Sequence, residues 1–162
     1  MKQDRNAASL AAELFHQAYS RQMEGEFEEA IDLYQQSIDT YPTAEAYTFL
    51  GWTYSFQGRL DEAIEECKKA IEIDPDFGNP YNDIGAYLIE QEMYNEAIPW
   101  LEKATRARRY DSHHFPHYNL GRAYEAKGMM IRALEEYGKA LKLAPDYGIA
   151  KDAVETLRRQ IN

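Results

Sequence analysis

The stretch GWTYSFQGRLDEAIEECKKAI, running from Gly51 to Ile71, sets a glycine inside what reads as helix. It recurs along the chain. Its counterparts are AYSRQMEGEFEEAIDLYQQSI from Ala18, GAYLIEQEMYNEAIPWLEKAT from Gly85 and GRAYEAKGMMIRALEEYGKAL from Gly121, which align without gaps. The leading small residues are separated by 33, 34 and 36 positions, a spacing that signals stacked repeats. Twelve residues on, a second small column reads Ala30, Ala63, Ala97 and Ala133, and a third reads Ser37, Ala70, Ala104 and Ala140. Pro42, Pro75 and Pro145 close their units, where the remaining one has Arg109.

Each unit divides into two amphipathic helical stretches around Gly25, Gly58, Glu92 or Gly128. Before the second break, Tyr47, Leu50, Gly51 and Tyr54 recur at helical spacing; after it, Leu60, Ala63, Ile64, Cys67, Ala70 and Ile71 trace another stripe. Asn79-Pro80 reads as an N-cap with proline in the first turn, and Phe115-Pro116 matches it. Pro99 is expected early in its helix, among donors that lack partners anyway. Glycine inside a helix costs about 0.5–1 kcal/mol relative to alanine. Its retention at Gly51 therefore needs a compensating gain. Two antiparallel helices approach closely only where small residues sit at the crossing, and a side chain at Gly51 would push the partner helix away. One such pair cannot bury its stripe alone, so neighbouring pairs must stack.

This pattern resembles the tetratricopeptide repeat. The matching residues are Tyr47, Leu50, Gly51, Tyr54, Ala63, Ala70 and Pro75 in the second unit, and Leu120, Gly121, Tyr124, Ala133, Tyr137, Ala140 and Pro145 in the fourth. The third matches with Tyr81, Ile84, Gly85, Ala97, Leu101 and Ala104; the first, weaker, with Ala18, Ala30, Tyr34 and Pro42. The resemblance implies an all-α fold, a right-handed superhelical α-solenoid of four helix-turn-helix repeats. Their expected bounds are 8–43, 44–77, 78–113 and 114–147, followed by a capping helix over 148–162, all in one domain spanning 1–162. The tail GIAKDAVETLRRQIN supplies that cap, with Ile149, Val154, Leu157 and Ile161 on one stripe and Arg158 and Arg159 favourable to the helix dipole.

The resemblance also implies a concave face built mainly from the first helix of each pair. The residues expected there are Phe15, Tyr19, Gln22 and Met23; Thr48, Trp52, Ser55 and Phe56; Asn79, Asn82, Ala86 and Ile89; and Phe115, Tyr118, Arg122 and Glu125. Tyr34, Tyr54, Tyr124 and Tyr137 are expected to fill the core. Trp52, Tyr19, Phe56 and Tyr118 fall opposite the packed stripe, where a solvated helix is normally polar, and large rings there point to an interaction surface. Asn82 and Arg122 are expected to orient a guest by hydrogen bonds. Some family members clamp a chaperone's C-terminal carboxylate with Lys, Asn and Arg. The corresponding places hold Phe15, Tyr19, Phe49, Asn79 and Asp83, so no such clamp is expected.

Charge narrows the partners. The chain of 162 residues carries a net charge of −10. Residues 1–81 hold 6 Lys/Arg against 16 Asp/Glu, and residues 82–162 hold 12 against 12. An acidic chain is repelled by phosphate backbones and anionic lipid, so nucleic acid and membrane are not expected partners, while a basic or neutral protein would be steered to the N-terminal half. No leader-like segment or run near the ~18 apolar residues of a membrane span occurs, giving a cytoplasmic expectation. The lone Cys67 fits a reducing compartment.

Catalytic groupings are absent from the pattern. His113 and His117 stand one turn apart, a conceivable metal pair, but Pro116 interrupts their helix, and a solvated loop is the expectation. Cys67 shares its column with Tyr34, Leu101 and Tyr137, a packing role. Glu28-Glu29, Glu65-Glu66 and Glu135-Glu136 recur on a solvated face. The sequence thus reads as a non-catalytic adaptor without cofactor or metal, its groove holding a peptide or helix of another protein. A self-assembling scaffold remains the alternative.

Overall fold

A computed structural model describes residues 2–162. Among them nine helices follow one another: α1 (Lys2–Met23), α2 (Phe27–Thr40), α3 (Ala44–Phe56), α4 (Leu60–Ile73), α5 (Gly78–Glu90), α6 (Tyr94–Thr105), α7 (His114–Ala126), α8 (Met130–Leu143) and α9 (Gly148–Ile161). Sequence neighbours pair as α1 with α2, α3 with α4, α5 with α6 and α7 with α8, while α9 packs on α8. They form two compact units, Met1–Pro75 and Asp76–Asn162.

Small residues at the crossings govern the pairing. A Cβ on Gly51 would lie 2.8 Å from the Ala63 carbonyl oxygen and 3.3 Å from Cys67 Sγ. On Gly85 it would lie 2.3 Å from Leu101 Cδ2, and on Gly121 2.4 Å from the Tyr137 ring. The helix-propensity loss at these three positions is therefore the consequence of close approach, as expected from the columns. Ala30, Ala63, Ala97 and Ala133 are all fully buried.

The tight links between paired helices share one geometry. Gly25, Gly58 and Gly128 have φ of 83°, 73° and 74°, and Glu92 takes the same left-handed conformation at 61°. Around Gly58, its N–H donates to Ser55 O at 3.0 Å and Arg59 N–H donates to Tyr54 O at 3.0 Å. This bond pair satisfies carbonyls that the end of α3 would leave bare. Glu92 and Gly128 repeat it, through Met93 N–H to Leu88 O and Met129 N–H to Tyr124 O, both at 2.8 Å. Glu92 alone does so with a side chain, against a cost of roughly 1–2 kcal/mol for left-handed backbone.

In the first unit the core gathers Ala18, Tyr34, Ile38, Ala46 and Leu50, flanked by Phe15, Tyr47, Phe49 and Tyr54. Tyr54, expected in the core, is only half-buried and carries the Arg59 guanidinium 4.3 Å above its ring. Thr43 caps α3, its hydroxyl accepting from Ala46 N–H at 3.1 Å, an arrangement worth ~1 kcal/mol.

Three local expectations are corrected in the second unit. Helix α5 starts at Gly78 and α7 at His114, so Asn79 and Phe115 lie inside their helices rather than capping them, while Pro80 and Pro116 keep their place in the first turn. Pro99 stands sixth in α6, beyond the first turn. The segment that lacks the closing proline turns back on α5: Arg109 N–H donates to Asp76 O at 2.9 Å and Gly78 N–H donates to Arg109 O at 3.0 Å. The Arg109 guanidinium covers the Phe77 ring at 4.1 Å. Tyr110 lies so close to Gly78 that a Cβ there would sit 2.4 Å from its ring.

Candidate functional site

On the first unit, α1 and α3 present rings to one face. Phe49 is the hub, with centroids 5.2 Å from Phe15, 5.8 Å from Tyr19 and 5.7 Å from Trp52. Trp52 continues to Phe56 at 5.1 Å, and Phe56 stacks on Phe27 at 5.3 Å with 7° between planes. Edge-to-face and offset contacts of this kind add about 0.5–1.5 kcal/mol each beyond area burial. The rings thus hold one another in place. Solvent still reaches them: Tyr19 is 40%, Phe56 53% and neighbouring Met23 60% exposed, while Phe15 and Trp52 are half-buried.

Several residues expected on this face turn inward instead. Thr48 is only 2% exposed, its hydroxyl donating to Ala44 O at 2.7 Å. Gln22 is buried, with Oε1 accepting from the Tyr34 hydroxyl at 2.7 Å and Nε2 lacking a partner. In the second unit Ile89 is 7% exposed. Glu125, in the same register as Gln22 and Ile89, has Oε2 2.6 Å from the Tyr137 hydroxyl. That register, four residues after the crossing residue, therefore faces the partner helix.

The second unit carries a polar line. Asn119 Nδ2 donates to Asn82 Oδ1 at 2.9 Å, and Arg122 Nη1 donates to Asn119 Oδ1 at 3.1 Å. Asn82 is buried and engaged within this line; Arg122 and Asn79 are half-buried. Tyr118 packs 5.5 Å from Tyr137 and 5.3 Å from Tyr147, leaving it half-buried beside exposed Phe115. Burial pushes the Asp83 carboxyl up to about 7, against the opposing pull of its hydrogen bond with Asn82.

Sequence reasoning missed Phe49 and Asn119, which organise the two arrangements. Both lie two places before their crossing glycine, a column whose significance emerges only once the helices are paired.

The histidines disperse. His113 Nε2 donates to the Ala107 carbonyl at 3.0 Å, and His117 Nδ1 donates to Glu136 Oε2 at 2.7 Å. Burial opposes the Glu136 charge, but bonds from His117 and Lys139 outweigh it and hold the carboxyl below its usual range. His114 packs against Phe115 and Tyr147, and burial lowers its affinity for a proton. Among the described residues no three His, Cys, Asp or Glu side chains converge as metal ligands do, and no helix is long and apolar enough to cross a membrane.

Comparison with known proteins accords with this architecture. Family models described as "Tetratricopeptide repeat" match residues 14–44, 44–77, 79–111 and 114–147. A protein of Oryza sativa subsp. japonica, "Protein SGT1 homolog", is 35% identical over 97 residues, which cover 59% of this chain and 26% of that protein. The chain thus spans about a quarter of that curated relative. Among solved structures, that titled "Functional Characterization of Pseudomonas Aeruginosa pilF" is similar with a TM-score of 0.89 at 21% identity, covering 96% of this chain and 70% of the other. The structure of YrrB, titled "a TPR protein with an unusual peptide-binding site", gives 0.73 at 21% identity, covering 91% and 75%. Identities this low speak for the fold alone.

Proposed function

Because this chain belongs to the tetratricopeptide repeat family, whose repeats serve protein interaction, we propose that it is a non-catalytic adaptor holding a segment of another protein. The contact surface is the face of α1 and α3, with Phe15, Tyr19, Trp52 and Phe56 as anchors. Tyr118, Asn79 and Arg122 offer a separate contact on the second unit. Thr48 and Ile89 do not belong to it, because their side chains are buried, and Asn82 acts by fixing Asn119 and Arg122.

One observation carries this reading. Tyr19, Met23 and Phe56 remain substantially exposed while Phe49 packs against Tyr19 and Trp52 against Phe56. Rigid rings at a solvent-facing surface bind with little ordering entropy to lose. The peptide-binding site named for YrrB lends the same fold a precedent, as a property of that protein.

Selection of random peptides on the wild-type chain, followed by titration against Trp52→Ala, tests it. The substitution should weaken a selected peptide by about 2–4 kcal/mol, as for a hot-spot ring, with the helical circular dichroism retained. Unchanged affinity would remove Trp52 from the surface and the reading with it.

A further inference from the structure

The exposed rings lie in the acidic part of the chain. Residues 1–75 carry 15 Asp/Glu against 6 Lys/Arg, whereas residues 76–162 carry 13 against 12. We propose that the α1–α3 face takes a basic segment of another protein, one that presents Leu, Met or Phe between lysines and arginines. This rests on the adaptor reading and adds the chemistry of the guest.

The apolar path is long enough for such a segment. It runs from stacked Phe27 and Phe56 through Trp52 and Phe49 to Phe15. There it meets a hollow of about 240 Å³ where Ala8, Ala11 and Ala12 leave room beside Phe15 and Tyr41. Ala8 to Met23 is 15 helical steps along α1, roughly 22 Å, the span of a 15-residue helix.

Carboxylates stand beside the stacked rings, while at the hollow Glu45 is accompanied by His16. Glu26 and Glu28 flank Phe27, and Glu28 Oε1 accepts from Gln57 Nε2, next to Phe56, at 2.7 Å. Beside the stacked rings, Arg21 pairs with Glu24 at 2.9 Å and Glu29 at 3.2 Å, and Arg59 pairs with Glu62 at 2.6 Å. Glu26 and Glu28, both exposed, therefore add negative charge beside the stacked rings. An acidic guest would bring like charge against Glu26 and Glu28. A basic one is steered in, and its lysine and arginine stems can cover the ring edges while their heads meet the carboxylates.

The test uses the full chain and three labelled 15-residue peptides followed by fluorescence anisotropy. One is an amphipathic Leu/Lys helix, one has the same leucines with Glu for Lys, and one has the same lysines with Ser for Leu. The Leu/Lys peptide should bind at least ~10-fold tighter than either control, and Trp52→Ala or Phe56→Ala should weaken it by ~10-fold or more. The pair Glu26→Gln with Glu28→Gln, or 500 mM salt in place of 50 mM, should weaken it roughly 3- to 10-fold. Equal, Trp52-dependent binding of the Leu/Glu peptide would overturn the charge assignment and leave the adaptor reading standing. Equal binding of the Ser/Lys peptide would show that the rings contribute nothing and overturn the proposal. If no peptide responds to either ring substitution, the proposal and the adaptor surface fall together. A concentration-dependent dimer in sedimentation that Phe56→Ala dissolves would assign the face to a second copy instead.

Discussion

Replacing Gly51 by alanine sets two effects of known size against each other. Alanine is the better helix former by about 0.5–1 kcal/mol. Its Cβ, however, would meet the Ala63 carbonyl oxygen at 2.8 Å and Cys67 Sγ at 3.3 Å. The first of these is backbone and cannot rotate aside, so α4 must retreat from α3 by roughly half an ångström, disturbing close packing along the pair. Overpacking of this kind costs about 1–3 kcal/mol, which at mid-range values leaves a net loss of about 1 kcal/mol. Gly138 supplies the control: it lies inside α8, and a Cβ there meets nothing within 4 Å. Gly138→Ala should therefore gain the propensity term alone, ~0.5–1 kcal/mol. In a chain of this length each kcal/mol moves the melting temperature by roughly 2–4 °C, so the variants should melt on opposite sides of wild type. Urea titration by circular dichroism measures the global effect, and native-state hydrogen exchange in α3 and α4 against α7 and α8 localises it. A Gly51→Ala chain as stable as Gly138→Ala would refute the argument that close approach holds the small columns.

Glu92→Gly should stabilise the second unit by about 0.5–1 kcal/mol in thermal melts, because it relieves left-handed backbone at a small cost in unfolded-state entropy. Asp83 ionises near pH 4 when unfolded but near 7 in the fold, so the native state keeps an extra proton between those values and loses stability as pH rises through them. Asp83→Asn should match wild type at pH 4 and exceed it by ~1–2 kcal/mol at pH 8, a figure reduced because the residue is half-buried; equal urea midpoints at both pH values would dismiss the effect. Gln22→Met should destabilise the first unit by ~1–2 kcal/mol by stranding the Tyr34 hydroxyl. Adding Tyr34→Phe should restore most of that in a double-mutant cycle, since an apolar pair leaves nothing unpaired.

The pairing of helices was legible in the sequence because steric demand at Gly51, Gly85 and Gly121 admits almost nothing but the smallest residues. The linking turns were legible for a related reason: Gly25, Gly58 and Gly128 answer a backbone requirement. The face was legible only in part. Helical periodicity identifies the side away from the main stripe, but it does not separate solvent from the flank of the partner helix. Gln22 and Glu125 fell on that flank, bonded to the tyrosines of the paired helix, while Thr48 turns its hydroxyl to a carbonyl of its own helix and Ile89 is buried. Phe49 and Asn119 escaped notice because their roles depend on which ring or amide another helix delivers. The return of Arg109 to Phe77 rests on main-chain bonds, for which side-chain identity carries no code.

The inward register has a consequence for exchanging pieces of this molecule. Gln22 is matched to Tyr34 and Glu125 to Tyr137, whereas the same two columns hold Ser55 with Cys67 and Ile89 with Leu101. The first and fourth leading helices thus carry a chemical password recognised by their own followers. Cassettes cut at the prolines keep the password intact and should recombine in new orders. A splice at Gly25 or Glu92 would set a bare amide against leucine, or strand a phenol beside isoleucine. The indivisible quantum of recombination is therefore the hairpin, not the helix.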